Sequence, residues 1–447
     1  MMKVNDVIFK SRDIRGIYPE ELNEETAFKI GQAFAAKTGA SQIAVGQDMR
    51  ISSPMLFEHL ARGIVSQGAN IYNIGQVATE CLYFATVNYG YDAGIMITAS
   101  HNPKEYNGFK MFKRAERGLE FVRGRDLADL IKDYSLNPGL AGEIKELNIW
   151  DDYINHIFSL ANITKINPFK VVIDAGNGMA GKVIPKISSR LPLEIVGLNF
   201  NLDGNFPAHP SNPLLEGVTD QLSKEVVNAK ADFGVIFDGD ADRIYLVDEE
   251  GSFIQGDTTL LFLARYFLEK HPGSSIVYNL ICSKAVPKLV KKWGGVPVRT
   301  AVGVVELKKA MLDNNAFLGG ELSGHYLFKD NYSMDSGFIS FLILLEIISQ
   351  SDKKVSQMAK ELSPYFKAAE ISFQVQDKNK IIQKAKDNYS DAKQDFLDGI
   401  TAEYENWWFN LRPSQTEPLL RLTVEANTKD LLEEKKKELT FFIRKSA

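Results

Sequence analysis

Residues 233–248 read FGVIFDGDADRIYLVD, in which two apolar runs flank a short and very polar segment. The apolar runs have the length and the β-branched and aromatic content of buried strands. Between them, Asp238, Asp240 and Asp242 alternate with small residues that allow the backbone to curl. Three carboxylates on such a loop can converge on one hard cation, for which Mg²⁺ is the natural occupant. The alternative is a solvated acidic turn, a costly choice at the end of a buried strand.

The same order of elements recurs along the chain, although the letters do not repeat. A short apolar strand, a polar turn and an amphipathic helix are followed by a second apolar strand that ends in a dense polar loop. The paired segments are 42–68 with 94–112, 170–188 with 233–248, and 275–293 with 316–328. Three such β/α units in series predict three similar mixed α/β domains around a central cleft.

The last ~80 residues have a different pattern, as expected of a smaller domain. A strand at Glu370–Val375, a helix near Lys378–Asn388, a hairpin around PSQTEP (413–418) and a charged helix at Lys429–Arg444 predict a small C-terminal α+β domain. Turn-forming segments at 137–142, 248–251 and 364–368 are the candidate borders. The predicted domains are therefore 1–140, 141–249, 250–365 and 366–447.

Composition excludes several classes of protein. The 447 residues carry 52 Lys and Arg against 57 Asp and Glu, without a long basic run, so a nucleic-acid surface is not expected. Two distant cysteines indicate neither a disulfide framework nor a thiolate metal site, which fits a reducing cytoplasm. No signal peptide is expected, because the N-terminus has no apolar core region. The most apolar stretch, 337–348, is too short to span a membrane and predicts a buried helix.

The loop after the strand GIMIT carries Thr98, Ser100, His101 and Asn102, and Lys110 follows on the next strand. A serine at a strand end, beside a histidine and near a lysine, suits a hydroxyl nucleophile or a phosphorylated serine. An ordinary turn, with its polar side chains bonded to the backbone, is the alternative. A phosphoserine carries about −2 charge and requires cations around it, and a nearby Mg²⁺ loop would supply one.

Two further loops carry groups that suit a phosphorylated sugar. The segment GGELSGH places Glu321, Ser323 and His325 among glycines, an arrangement suited to hydrogen bonding with neighbouring sugar hydroxyls. The hairpin segment after Arg412 adds hydroxyl and amide groups, and Arg421 follows shortly after, which together form a phosphate-binding set. Each loop taken alone is equally compatible with a plain turn.

Together, these loops resemble the α-D-phosphohexomutase superfamily, and most closely its bacterial phosphomannomutase/phosphoglucomutase branch. The matching motifs are TASHNPKEYNGFK, DGDADR, GELSGHY and RPSQTEPLLR, in that order, with DIRG (13–16) near the start. The resemblance therefore spans the whole chain. It implies four domains around a cleft and an isomerase that interconverts hexose 1-phosphate and hexose 6-phosphate, for mannose and also for glucose. The implied route passes through a phosphoserine enzyme and a hexose 1,6-bisphosphate, which also acts as activator.

The resemblance also implies roles for individual residues. The predicted catalytic residues are Ser100 as the phosphoserine, with Lys110, Arg15, His101 and Arg243 around it. The predicted metal ligands for Mg²⁺ are Asp238, Asp240, Asp242 and an oxygen of Ser100. The predicted substrate-binding residues are Glu321, Ser323 and His325 at the sugar, and Arg412, Ser414, Gln415, Thr416 and Arg421 at the distant phosphate. Hexose phosphates are the expected partners of a cytoplasmic monomer or homodimer, in nucleotide-sugar supply.

The chain departs from the superfamily pattern at three positions. Where relatives carry a histidine near the sugar, this chain has Val304, which leaves the general acid/base open among Lys110, His101, His325 and Arg15. Gln415 stands where relatives commonly have Asn, and Arg12 stands where they commonly have an aromatic residue.

Two other interpretations of the function remain. One is a Mg²⁺-dependent sugar phosphatase with Asp238 as nucleophile, and the other is a non-catalytic sugar-phosphate-binding protein.

Overall fold

A computed structural model of the chain describes residues 5–10, 12–132, 141–414 and 419–446. Its internal contacts divide the chain into two compact units. The first comprises Met1–Gln255 and Ser323–Ser356, and the second comprises Gly256–Leu322 and Gln357–Ala447. Both units are built from β-strands and helices, as the predicted fold class requires. This division does not test the predicted borders of the four domains, which stay predictions.

The N-terminal part of the first unit is a mixed sheet with helices. Its elements are β1 (Ile14–Ile17), α1 (Glu24–Thr38), β2 (Gln42–Gln47), α2 (Ser53–Val65), β3 (Asn70–Gln76), α3 (Thr79–Asn88), β4 (Ala93–Ile97), β5 (Tyr106–Ala115), β6 (Gly118–Phe121), α4 (Gly124–Lys132) and β7 (Ile144–Glu146). The described strands run in the order β1-β5-β4-β2-β3-β7, and β6 pairs with β5. Strands β4 and β5 are antiparallel neighbours inside this sheet. The loop that joins them begins at the carboxyl end of β4 and carries Ser100.

A second sheet follows in the same unit. Its elements are α5 (Trp150–Ser159), β8 (Phe169–Asp174), α6 (Ala180–Ser188), β9 (Leu193–Leu198), α7 (Asp220–Ala229), β10 (Phe233–Phe237), β11 (Ile244–Asp248) and β12 (Phe253–Ile254). Strand β10 is parallel to β8 and antiparallel to β11. Every residue of β10 and β11 is buried, which confirms the two predicted apolar strands. The aspartate loop therefore begins at the carboxyl end of a central strand, where ligands of α/β sheets bind.

Residues 256–322 open the second unit with a third β/α segment. Its elements are α8 (Gly256–Lys270), β13 (Ser275–Asn279), α9 (Ala285–Lys292), β14 (Val296–Thr300), α10 (Val304–Asp313) and β15 (Leu318–Gly320). Strand β13 pairs in parallel with both β14 and β15. This parallel arrangement with intervening helices is the βαβ pattern that the repeated sequence segments predict.

Residues 323–356 belong to the first unit and contain the most apolar helix. The elements are β16 (Tyr326–Phe328), β17 (Met334–Asp335), α11 (Gly337–Ser349) and the start of α12 (Val355–Leu362). Helix α11 is buried along almost its whole length, which confirms the helix predicted at 337–348. Within the described ranges, no helix has both the length and the apolar character needed to cross a membrane.

The C-terminal part of the second unit is an antiparallel sheet with two helices. Its elements are β18 (Phe366–Lys367), β19 (Ile371–Gln374), α13 (Lys378–Asn388), β20 (Lys393–Asp395), β21 (Ile400–Glu403), β22 (Trp407–Pro413), β23 (Leu419–Ala426) and α14 (Lys429–Ser446). Strand β23 pairs with β22, β18 and β19. The small α+β domain predicted for the last residues is confirmed.

The buried N-terminus of α11 is capped by a carboxyl group from another helix. Glu80, on α3, accepts a hydrogen bond from the Ser336 hydroxyl and one from the Phe338 backbone N–H at 3.3 Å. Ser336 in turn accepts from the Ile339 N–H at 2.9 Å. Burial of Glu80 raises its pKa to about 8. The folded protein therefore keeps a proton on this buried carboxyl group at neutral pH.

We expect Glu80→Gln to change the pH dependence of stability. Because the folded pKa lies above the unfolded value of 4.5, the folded wild type binds the extra proton between those limits, and its free energy of unfolding falls as pH rises from 4.5 to about 8. The variant has no such proton, so its stability relative to wild type should increase by about 2 to 4 kcal/mol across that interval. Urea unfolding at pH 5, 7 and 9 measures the difference; a constant difference at all three would contradict the assignment.

Candidate active site

The three aspartates after β10 form a compact buried cluster. One carboxylate oxygen from each of Asp238, Asp240 and Asp242 lies within 4.8 Å of the other two. Ala241 adopts a positive φ of 62°, so the loop curls and brings the alternate side chains to one point. The convergence of the three carboxylates, expected from their spacing in the sequence, is confirmed.

The chemistry of this cluster fits a divalent cation. Asp240 Oδ1 and Asp242 Oδ1 are buried, and neither accepts a hydrogen bond from the residues that the structure describes. Burial and the neighbouring carboxylates of Asp242 and Asp240 raise the pKa of Asp238 to about 8. Three adjacent buried carboxyl groups cannot all ionise cheaply without a positive charge among them. Oxygen donors of this kind are the ligands that Mg²⁺ prefers.

Ser100 lies directly beside the aspartate cluster. Its hydroxyl donates to Asp238 Oδ2 at 3.0 Å, and its Oγ lies 3.2 Å from His101 Nδ1. The residue has a positive φ of 52°, and its backbone N–H donates to Thr98 Oγ1 at 2.8 Å. A serine in the left-handed region is a strained choice that surrounding contacts must hold. The structure therefore joins the two loops that the sequence singled out separately.

Three cationic side chains surround the pair of loops. Lys110, on β5, contacts Asp240 Oδ2 at 2.7 Å and Asp242 Oδ2 at 2.5 Å. Arg243 Nε lies 3.5 Å from Asp238 Oδ2, and Arg15 Nη1 donates to the Ala99 carbonyl at 3.1 Å. Burial opposes the charge on Lys110, but the two aspartates outweigh it and its pKa is raised. Lys110 therefore remains positively charged at neutral pH.

The pKa values of His101 and His325 are shifted in opposite directions. Burial, followed by the charges of Arg243 and Arg15, lowers the pKa of His101 well below its usual value. For His325, burial and Arg243 lower the pKa, whereas Asp242 and Asp335 raise it, and the net direction is upward. His325 Nδ1 lies 2.5 Å from Asp335 Oδ2 and 3.7 Å from Asp242 Oδ1. His101 is thus a neutral imidazole at neutral pH, and His325 contacts two carboxyl groups.

The residues predicted to bind the sugar have their own partners within each unit. In the second unit, Glu321 is buried and its Oε2 accepts from Asn279 Nδ2 at 3.1 Å. In the first unit, the Ser323 carbonyl accepts from the Tyr245 hydroxyl at 2.5 Å. Val304 is a buried residue at the first position of α10, and its side chain has no group that can act as an acid or a base. Their predicted roles toward a sugar stay predictions.

The predicted phosphate-binding arginines lie opposite each other in the C-terminal sheet. Arg412 on β22 pairs in register with Arg421 on β23. Glu370 bridges them, with Oε2 at 2.7 Å from Arg412 Nη2 and Oε1 at 3.0 Å from Arg421 Nη1. Ser414 is buried beside them, and its N–H donates to the Leu419 carbonyl at 2.8 Å. Gln415 and Thr416 lie outside the described residues.

Sequence reasoning missed four polar residues, each of which contacts a predicted site residue of its own unit. The Thr79 hydroxyl donates to Asp240 Oδ2, and Asp13 holds Arg15 Nε at 2.9 Å. Asp335 holds His325, and Glu370 holds the two arginines. Thr79, Asp335 and Glu370 stand alone in their segments without a recognisable motif, whereas Asp13 belongs to DIRG and lies two residues from Arg15, so it carried a local signal.

Comparison with known proteins gives a consistent result over the whole chain. Family models described as phosphoglucomutase/phosphomannomutase α/β/α domains I, II and III and C-terminal domain match residues 6–126, 151–251, 255–366 and 370–440. A phosphomannomutase of Methanocaldococcus jannaschii is 36% identical over 443 residues, which is 98% of this chain and 98% of the relative.

Solved structures agree with these matches. A phosphoglucomutase/phosphomannomutase family protein from Burkholderia thailandensis has a TM-score of 0.89 at 29% identity, covering 99% of this chain and 98% of that chain. The N-acetylphosphoglucosamine mutase of Aspergillus fumigatus, solved in complex with GlcNAc-6P and magnesium, has a TM-score of 0.63 at 14% identity, covering 98% and 96%. At that identity, the second likeness shows the fold alone.

Proposed function

This chain belongs to the phosphoglucomutase/phosphomannomutase family, and on that premise we propose that it interconverts mannose 1-phosphate and mannose 6-phosphate, and the corresponding glucose phosphates. It is a hexose phosphate mutase and therefore an isomerase. In our proposal, Ser100 carries the transferred phosphoryl group. The observation behind this proposal is the 3.0 Å contact of its hydroxyl with Asp238 in a cluster suited to a divalent cation.

The phosphoryl transfer proceeds in two steps with a change of orientation between them. Phosphoserine 100 gives its phosphoryl group to the free hydroxyl of a hexose phosphate. The serine P–O bond breaks, a sugar P–O bond forms, and the proton lost by the sugar hydroxyl ends on the freed Ser100 oxygen. The resulting hexose 1,6-bisphosphate turns around and returns its other phosphoryl group to Ser100. Added bisphosphate should therefore activate enzyme whose serine has lost its phosphate.

The side chains around Ser100 stabilise charge and move the proton. Lys110, Arg243 and Arg15 neutralise the equatorial oxygens of the phosphoryl group, which is the main requirement of such a transfer. Asp238, Asp240, Asp242 and an oxygen of Ser100 would hold Mg²⁺, which supplies Lewis-acid stabilisation when bound. His101, the neutral imidazole 3.2 Å from Ser100 Oγ, is our candidate to accept the proton of the sugar hydroxyl and pass it to the freed Ser100 oxygen.

The remaining predicted residues bind the substrate. Glu321 and Ser323 hydrogen-bond sugar hydroxyls, and Arg412, Ser414 and Arg421 bind the phosphate that is not being transferred. We also propose that the protein acts in the cytoplasm. Cys81 and Cys282 are both buried and unpaired, as suits a reducing compartment.

A coupled assay tests the proposed function. Purified protein is given mannose 1-phosphate or glucose 1-phosphate with Mg²⁺, with and without glucose 1,6-bisphosphate, and formation of each 6-phosphate is followed. We expect turnover of both sugars and a rise with the bisphosphate. Release of inorganic phosphate in place of a 6-phosphate would support the phosphatase alternative, and binding without turnover would support the non-catalytic one.

We expect Arg421→Gln to weaken substrate binding more than turnover. The variant removes a charged donor from the proposed phosphate site, which is worth about 1.5 to 3 kcal/mol, or roughly a 10- to 100-fold increase in KM. Arg444→Gln is the matched control, because Arg444 is exposed on α14 of the same domain. Equal KM values for both variants and wild type would contradict a phosphate-binding role of Arg421.

A further inference from the structure

Arg50 is a buried arginine that binds the backbone of the Ser100 loop at four points. It lies between β2 and α2 and is 1% exposed. Its Nη2 donates to the carbonyl oxygens of Ser100 at 2.8 Å and Asn102 at 2.6 Å. Its Nη1 donates to those of Pro103 at 2.7 Å and Tyr106 at 2.9 Å. One planar guanidinium group thus spans the loop that joins β4 to β5.

The guanidinium group of Arg50 is itself held in place. Its Nε forms an ion pair with Asp48 Oδ2 at 3.3 Å, and both residues are buried. Asp48 Oδ1 accepts from the Arg50 backbone N–H at 2.9 Å and from the Ser53 hydroxyl at 2.8 Å. The Phe206 ring lies 5.0 Å from the guanidinium carbon and covers it. The arginine is therefore a rigid part of the first unit.

The contact with the Ser100 carbonyl has no substitute in the described structure. Asn102 O also accepts from the Ser211 hydroxyl at 3.1 Å, and Pro103 O also accepts from the Tyr106 N–H at 3.1 Å. For Ser100 O, Arg50 is the donor found among the described residues. Because Ser100 has a positive φ, its peptide group must be held against relaxation to an ordinary conformation. The direction of the hydroxyl depends on that peptide group.

We propose that Arg50 is a positioning residue for phosphoryl transfer, which fixes the backbone of the Ser100 loop so that the serine oxygen points at the aspartate cluster. This inference rests on the proposed role of Ser100 as the phosphoryl carrier. Arg50 does not touch the transferred group, and acts through the four carbonyl oxygens. A lysine cannot reproduce the effect, because its ammonium group lacks the planar fork that reaches several carbonyls at once.

The test compares Arg50→Ala, Arg50→Lys and wild type. We expect kcat to fall about 100-fold in Arg50→Ala, as for other small displacements of reacting groups, with KM for glucose 1-phosphate unchanged. Phosphorylation of Ser100 by glucose 1,6-bisphosphate, followed by intact mass, should slow in parallel. Millimolar guanidinium should restore part of kcat in Arg50→Ala. Arg114→Ala is the control, because Arg114 donates to one backbone carbonyl, that of Tyr91, away from this loop.

The outcomes separate this inference from the proposed function. Loss of kcat at constant KM in Arg50→Lys, with an unchanged melting temperature and with slower phosphorylation, supports the positioning role, and Arg50→Ala should show the same loss if it folds. An Arg50→Lys variant that folds and turns over like wild type overturns it, and this variant decides the question if Arg50→Ala does not fold. Ser100→Ala is assayed in parallel. If that variant stays active, the proposed function itself fails, whatever the Arg50 variants do.

Discussion

Ser100→Ala will reduce mutase kcat by at least about 1,000-fold, because the variant lacks the oxygen that must carry the phosphoryl group between the two steps. Alanine fits the space of a buried serine, so the fold and the binding of hexose phosphates should persist. The loss should therefore appear in kcat, and incubation with glucose 1,6-bisphosphate should add no phosphate to the protein. Intact mass and the coupled assay measure the two effects.

Ser66→Ala is the control for Ser100→Ala. The Ser66 hydroxyl is likewise a hydrogen-bond donor, but it donates to the backbone carbonyl of Gly63 at 2.7 Å, at the end of α2 and outside the site. This variant should retain full activity. Substantial turnover by Ser100→Ala, together with release of inorganic phosphate, would make Asp238 the nucleophile and overturn the phosphoserine route.

Removal of divalent metal will abolish turnover, and Asp240→Asn will weaken the response to Mg²⁺. Asp240 has one buried oxygen without a hydrogen bond, while its other oxygen contacts Lys110 and the Thr79 hydroxyl. Replacement by asparagine removes one of three negative ligands at constant size. We expect wild type to lose at least about 100-fold in activity on chelation and to recover on addition of Mg²⁺.

Thermal unfolding gives a second measurement that does not depend on turnover. A cation that binds the folded protein alone raises the melting temperature with concentration. Mg²⁺ should therefore stabilise wild type, and much higher concentrations should be needed for Asp240→Asn. Asp232→Asn is the control, since Asp232 is exposed just before β10 and accepts from the Lys170 N–H at 2.7 Å, away from the cluster. Equal Mg²⁺ shifts in all three proteins would contradict a metal site at Asp240.

The sequence was sufficient for the features that depend on local pattern. Alternating aspartates after an apolar run and a serine after another strand both lie at strand ends, where ligands of α/β sheets bind, so each loop could be assigned to a functional site from its own segment. The parallel β/α segments and the buried helix α11 were predictable for the same reason, since their apolar content is continuous in sequence.

The missed contacts depend on pairing between segments that are far apart in the chain. Glu370 meets Arg412 and Arg421 because β19 and β22 both pair with β23, a register that no motif encodes. Asp335 reaches His325 because β17 pairs with β16. Lys110 was expected at the phosphoryl group, and its contacts with two aspartates join β5 of the first sheet to the loop that follows β10 of the second sheet. Isolated polar residues give no local signal of such partners.

The attachment of the Ser100 loop through its carbonyl oxygens has a consequence for how this protein can vary. Every residue type has a backbone carbonyl, so the anchors at positions 102, 103 and 106 do not depend on which side chains the loop carries. Lys104 and Glu105 are exposed between these anchors. Mutations there can alter the charge and shape of the exposed loop surface while the serine stays in place, so these two positions can vary without loss of the anchors.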